Sequence, residues 1–285
     1  MDDDARFEIN RIACGVLKEA RLVEPPICIE DVLEHLNVHR KFYDLADPSL
    51  LQSFAHKLRV GSHRIVDIAR KIKLAAIWSP DRNEILIDES QPEPKQLWAS
   101  FHDATHRVLP WHREFFLGDT AQTLEPYYQE ALEEEANYGA SALMFGPRFT
   151  EQAKDLPLGW GAIEELKKVH KKSYVTVLRR YVEQGPAYPL AGVVSTPHWD
   201  LKPDDQETRC RHLVRSAEFA LLFPRVSGEN LRQIIDAHTE RRRGGPIGRF
   251  EVNLTSPVTS RTHSFLGESF YNSHYVLTLF TLQSG

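Results

Sequence analysis

The chain has 285 residues, 41% hydrophobic and 26% charged, the balance of an ordinary globular protein with room for two or three small domains. A net charge of −5 excludes a global field that would steer it to nucleic acid or an anionic membrane. Met1-Asp2-Asp3-Asp4 is the reverse of a basic signal-peptide start, no apolar run nears the ~20 residues that cross a bilayer, and Cys14, Cys28 and Cys210 read as reduced thiols of a cytoplasmic protein.

Residues 5–22 carry Phe7, Ile9, Ile12, Ala13, Val16, Leu17 and Ala20 at helical spacing, closed by Pro25-Pro26. Residues 29–36 give a short second helix, 42–59 are ambiguous, and 65–72 fit a strand or a helical turn. Segments 74–78 and 84–87, joined by Ser79-Pro80-Asp81-Arg82-Asn83, read as a β-hairpin. Gln91-Pro92-Glu93-Pro94 opens a helix over 95–108, which Pro110 ends. A longer helix spans 126–144, with Leu132, Ala136, Ala140 and Leu143 in one stripe flanked by Glu133. Gly146-Pro147 marks a boundary.

Residues 162–183 read as two helices joined by Lys171-Lys172-Ser173. Lys167, Lys168, His170, Lys171, Lys172, Arg179 and Arg180 make this pair locally basic; such a face could meet phosphates, but solvated lysines on a helical hairpin are as ordinary. DNA is therefore a partner the sequence allows without favouring it. Gly185-Pro186-Ala187-Tyr188-Pro189 reads as a linker. Beyond it, 207–223 and 228–239 read as helices or a helix and a strand, 249–254 as a strand, and 264–282 as ending in a strand that alternates through Tyr275, Leu277, Leu279 and Thr281. Arg241-Arg242-Arg243-Gly244-Gly245 reads as a basic hairpin tip. The class is α+β.

The densest chemical signal is His102-Asp103-Ala104-Thr105-His106. Two His four apart on a helix lie about 6 Å apart along its axis and share a face. That arrangement sets two imidazoles around one Zn²⁺, with the adjacent carboxylate placed to take the proton of an attacking water. The usual pattern is H-E-x-x-H; the Asp arm is shorter by roughly 1.5 Å. A third ligand has two candidates. His112, six residues after His106, has the metzincin spacing, but Leu109 and Pro110 occupy the turn where that pattern needs Gly. Glu133 lies on the next helix, with Asn137 one turn later to support a His. The run Glu133-Glu134-Glu135 also fits a solvated helix face.

Phe101-His102-Asp103-Ala104-Thr105-His106, followed by Glu133-x-x-Ala136-Asn137 and Ala140-x-x-Leu143-Met144-x-x-Pro147, resembles the ImmA/IrrE metallopeptidase family. Upstream, Glu24-Pro25-Pro26-Ile27 with Ile29-Glu30-Asp31-Val32-Leu33, and the hairpin before the His-bearing helix, are similar too. The resemblance covers about the first 150 residues and departs at Asp103 for Glu and Gly139 for Phe. It implies a zincin-like domain with a small β-sheet at 1–148, a helix-turn-helix segment and linker at 149–189, and a C-terminal α+β domain at 190–285 in the place of a GAF-like sensor. It implies Zn²⁺ held by His102, His106 and Glu133, Asp103 as general base and Asn137 behind a ligand His. The implied function is a regulatory zinc metallopeptidase that cleaves a partner protein, a helix-turn-helix transcriptional repressor. The alternative that Asp103 keeps open is a catalytically weak or inactive regulator on the same fold, acting by binding a repressor, DNA or a small ligand.

Overall fold

The computed structural model describes residues 1–43, 76–79, 83–112, 126–200 and 210–283, which fall into two units, Met1–Pro147 and Arg148–Gly285. The ambiguous stretch from residue 44 and the segment 65–72 lie outside the described residues.

In the first unit, helix α1 (Asp3–Glu19) starts where the Asp2 carboxylate accepts from the Ala5 N–H at 2.8 Å. Its Ile9, Ala13 and Leu17, four apart, are buried. Helix α2 (Ile29–His35) leads into strand β1 (His39–Tyr43). Strands β2 (Ala76–Ser79) and β3 (Glu84–Asp88) form the expected antiparallel hairpin, Ser79 opposite Glu84. Strand β1 adds to the other side of β3 in parallel, giving the order β1-β3-β2. The sequence reading missed β1, because His-Arg-Lys-Phe-Tyr is an edge strand without clean alternation and its pairing partner lies far downstream.

Helix α3 (Glu93–Val108) is the centre of this unit, packed against β2, β3, α1, α2 and helix α4 (Pro126–Phe145). It is buried nearly all round, through Ala99, Ser100, Phe101, Asp103, Ala104, Thr105 and His106. Its hydroxyls find partners within the helix, Ser100 Oγ donating to Gln96 O and Thr105 Oγ1 to Phe101 O. On α4, Ala136, Ala140 and Leu143 are fully buried. Between them Gly139 lets the helices approach: a Cβ there would sit 2.3 Å from Thr105 Cγ2 and 3.2 Å from Ile9 Cγ2. Any side chain at this position would have to displace Thr105.

The second unit begins with helices α5 (Phe149–Asp155), α6 (Trp160–His170) and α7 (Tyr174–Gln184). The turn between α6 and α7 is closed by Lys171 in the left-handed region (φ 52°) and by Ser173, whose hydroxyl accepts from the Thr176 N–H. Then come β4 (Leu190–Ser195), β5 (Cys210–Arg215), α8 (Ala217–Leu222), α9 (Gly228–His238), β6 (Gly245–Thr255), β7 (Thr262–Tyr271) and β8 (Val276–Leu282). The strands form one antiparallel sheet in the order β5-β4-β8-β7-β6. The stretch read as ending in one strand is two, divided where Asn272 Oδ1 accepts from the His274 and Tyr275 N–H groups.

Both faces of this sheet are covered. Ala191, Val193, Phe265 and Phe280 pack with Phe219, Phe223, Leu231 and Ile235 of α8 and α9. On the other face Gly192 admits α7, since a Cβ there would stand 3.3 Å from Leu178 and Val182. Trp160 and Tyr174 pack on Phe270, at ring-centroid distances of 5.2 and 4.6 Å. The segment 185–189 is not a free tether, because Tyr188 is hydrogen-bonded to Leu282 and Ser216. The Arg241-Arg242-Arg243 loop joins α9 to β6 rather than two strands, and borders a cleft of about 490 Å³ with Trp199, Asp200 and Tyr271. Among the described residues, no helix is long and apolar enough to cross a membrane.

Candidate metal centre

Helix α3 presents His102 and His106 on one face, their Nε2 atoms 3.1 Å apart. Helix α4 brings the Glu133 carboxylate to the same point, Oε2 lying 3.1 Å from His102 Nε2 and Oε1 3.7 Å from His106 Nε2. Asn137, one turn further along α4, hydrogen-bonds the His102 ring. Asp103 is buried, and with His102 and His106 it forms a set of metal-capable groups whose ligand atoms all lie within 4.8 Å of one another. Its Oδ2 has no hydrogen-bond partner among the described residues.

The donor set fits a small divalent cation. Ligands placed tetrahedrally at zinc distances lie about 3.3 Å from one another, and the three separations here, 3.1, 3.1 and 3.7 Å, straddle that value. Two imidazoles and a carboxylate are a zinc donor set that leaves one position open. Glu133 approaches His102 Nε2 at 3.1 Å and His106 Nε2 at 3.7 Å, a position from which it could serve as a third donor beside the His102-Asp103-His106 cluster. An orphaned, buried carboxylate oxygen, as at Asp103, is costly in an apolar site.

Charges in the cluster are unevenly held. Burial works against a charge on His102, but the hydrogen bond to Glu133 and the charges of Asp103 and Glu133 outweigh it and raise its pKa. Burial, then the charges of His102 and His112, push His106 down to about 2. Metal binding requires neutral imidazoles, so a cation entering the site would compete with any proton held there. Burial raises the Asp103 carboxyl to about 7, with His102 opposing and Glu133 assisting.

His112 is fully buried and lies on the other side of the His106 ring, Nδ1 to Nδ1 at 2.8 Å. Its Nε2 lies 2.9 Å from Glu135 Oε2, which also accepts from Trp111 Nε1 at 2.6 Å. The acidic run is exposed at Glu133 and Glu134, yet each carboxylate has a partner: Glu133 faces the His pair, Glu134 pairs with the Met1 amine at 2.9 Å, and the more buried Glu135 faces His112. Tyr138 accepts from Asn10 Nδ2 on α1 at 2.7 Å. The Tyr127 side chain lies outside the described residues. Sequence reasoning missed Glu135 and Trp111, for which the only clue was the acidic triplet itself.

The basic residues of the helical pair are dispersed. His170, Lys172 and Arg180 are buried, Lys168 pairs with Glu165, and Arg179 pairs with Glu183.

No family model matches the chain, and none of the curated proteins does. Among solved structures it is similar to a Mycobacterium tuberculosis transcriptional regulator, at 12% identity with a TM-score of 0.57, over 97% of this chain and 76% of that one. That likeness is one of fold.

Proposed function

We propose that the chain is a zinc-dependent regulatory metallopeptidase acting on a partner protein, with a helix-turn-helix transcriptional repressor as the substrate class. The observation that carries the reading is the meeting of His102, His106 and Glu133 beside the buried, unpartnered Asp103 carboxylate oxygen. The structural neighbour is a transcriptional regulator, which supports a regulatory role over a digestive one.

His102, His106 and Glu133 would hold the ion, with Asn137 fixing the His102 ring. Zinc bound there supplies a Lewis acid for a peptide carbonyl and makes a water easier to deprotonate. Asp103 Oδ2 accepts the proton of the attacking water and returns it to the leaving amine. A carboxylate can serve both halves of that transfer, as acceptor and then as donor. Glu133 is exposed on its outer side, so a substrate segment can approach from α4. The C-terminal unit, a five-stranded antiparallel sheet with helices on both faces, supports the sensory role implied by the resemblance.

A second reading, a regulator that binds without cutting, is favoured by the burial and short arm of Asp103. Zinc content of the purified protein, followed by incubation with candidate repressors, separates the two. Asp103→Glu should preserve or raise cleavage, while Asp103→Asn should lower it by ~10²–10⁴ and leave zinc in place. Unchanged cleavage in Asp103→Asn rejects Asp103 as base. Binding without cleavage, by both the unaltered protein and Asp103→Glu, establishes the second reading.

A further inference from the structure

The histidine that the sequence offered as an alternative ligand does a different job. Helix α3 breaks at Leu109 (φ −80°, ψ 114°), and the chain resumes a helical turn at Pro110 that carries His112 back beneath His106. Leu109 and Pro110, which spoil a three-His turn, are thus what bring His112 to the far side of the His106 ring.

The hydrogens in this stack can be placed by elimination. The Glu135 carboxylate can only accept, and its Oε2 already accepts from Trp111 Nε1 at 2.6 Å. His112 Nε2, 2.9 Å from Glu135 Oε2, must therefore carry a hydrogen. A singly protonated His112 then has a lone pair on Nδ1. The atom 2.8 Å from that lone pair is His106 Nδ1, which must donate. To act as a metal ligand His106 must be a neutral imidazole, so it has one hydrogen to place. With that hydrogen on Nδ1, its Nε2 lone pair is left facing His102 Nε2 and Glu133.

We infer that Glu135 and His112, with Trp111 as an additional donor to Glu135, form a positioning relay that fixes the tautomer and ring orientation of His106 for metal binding. The inference rests on the metal-site reading above and extends it to residues that neither the motif nor the resemblance includes. Each histidine of the pair then has a polar neighbour, Asn137 for His102 and His112 for His106. The relay is anchored on both ligand helices, since Glu135 is two residues from Glu133 on α4 and Trp111 follows α3. Closing the ligand set and closing the relay therefore need the same approach of α3 to α4. The chemical logic is general: a ligating imidazole whose second nitrogen donates to a fixed acceptor is more basic and already oriented, and losing that acceptor typically weakens metal binding by about 10–100-fold.

The test uses the full chain, Zn²⁺ alone as the probe, and two readouts. Competition against a chromophoric chelator gives zinc affinity for the unaltered protein, His112→Phe, His112→Gln and Glu135→Gln. His112→Phe keeps a ring but cannot accept, and should bind zinc about 10–100-fold more weakly. His112→Gln, whose amide can accept from His106 and donate to Glu135, and Glu135→Gln, which retains an acceptor for His112, should stay close to the unaltered protein. Nitrogen NMR of histidine-labelled, metal-free protein should place the His106 hydrogen on Nδ1, and this holds even if His112→Phe fails to fold. A hydrogen on His106 Nε2, or equal zinc affinity in a folded His112→Phe, overturns the relay. If the unaltered protein takes up no zinc while His106 carries its hydrogen on Nδ1, the metal reading fails and the hydrogen-bond assignment stands.

Discussion

One methyl group at position 139 tests the helix contact on which the proposed metal centre depends. In Gly139→Ala the new Cβ would lie 2.3 Å from Thr105 Cγ2 and 3.2 Å from Ile9 Cγ2, against an optimum of about 3.5–4.0 Å between carbons. Thr105 cannot easily turn aside, being buried with its hydroxyl bonded to Phe101 O. Overpacking of this kind costs about 1–3 kcal/mol, and so short a contact belongs at the upper end. Replacing Gly in a helix interior returns about 1 kcal/mol, leaving a net loss of about 2 kcal/mol. For a unit of this size that lowers the melting temperature by about 4–8 °C. Thr105→Ser deletes the clashing Cγ2 and keeps the hydroxyl. A double-mutant cycle read by urea or thermal melts should therefore show a coupling of about 2–3 kcal/mol, with the pair more stable than Thr105→Ser alone. Zinc affinity should fall in Gly139→Ala and recover in the pair, because parting α3 from α4 moves Glu133 and Asn137 away from the histidines. A Gly139→Ala protein as stable as the original, or sites that act additively, would refute the close packing of these helices.

The second unit should lose stability in mild acid through His170, which is fully buried, bonded to Gln152 and held down to about 4 by burial, then by the charges of Lys172 and Arg180. Its folded pKa lies below the unfolded value, so the unfolded chain takes the proton first. Its contribution is complete above about pH 6.5 and is lost at about 1.4 kcal/mol per unit as pH falls toward 4; urea titrations should show that slope, and His170→Gln should flatten it. A slope unchanged by the substitution refutes the assignment. At the start of α6, Gly159 offers no side-chain cap, and Glu268 on β7 instead accepts from the Trp160 N–H at 2.8 Å. Glu268→Ala should cost about 1–2 kcal/mol and Glu268→Gln less; unchanged stability in Glu268→Ala would show that solvent serves that helix end equally well.

What the sequence determined by itself was what depends on near neighbours. The stripe Ile9-Ala13-Leu17, the antiparallel pairing of β2 with β3, the two long helices of the first unit and the pair α6–α7 each follow from a periodicity or a turn residue within a few positions. The pairing of His102 with His106 belongs to this class, since four residues on a helix share a face wherever that helix packs. Strand β4 was hidden for the opposite reason. Covered on both faces, Leu-Ala-Gly-Val-Val-Ser carries no alternation to distinguish it from any short apolar run. Nor could one chain reveal that Glu133, Glu134 and Glu135 point to three different partners, because a helix rotates successive side chains by about 100° and only the surrounding elements say what each one meets. His112 shows the limit most sharply. Its spacing from His106 offered a ligand, and the backbone break at Leu109 sets it against the Nδ1 side of His106, facing a carboxylate 23 residues on. Local spacing determines which groups can share a face; the contact between α3 and α4, set by a glycine against a threonine, decides which of them converge on a single point.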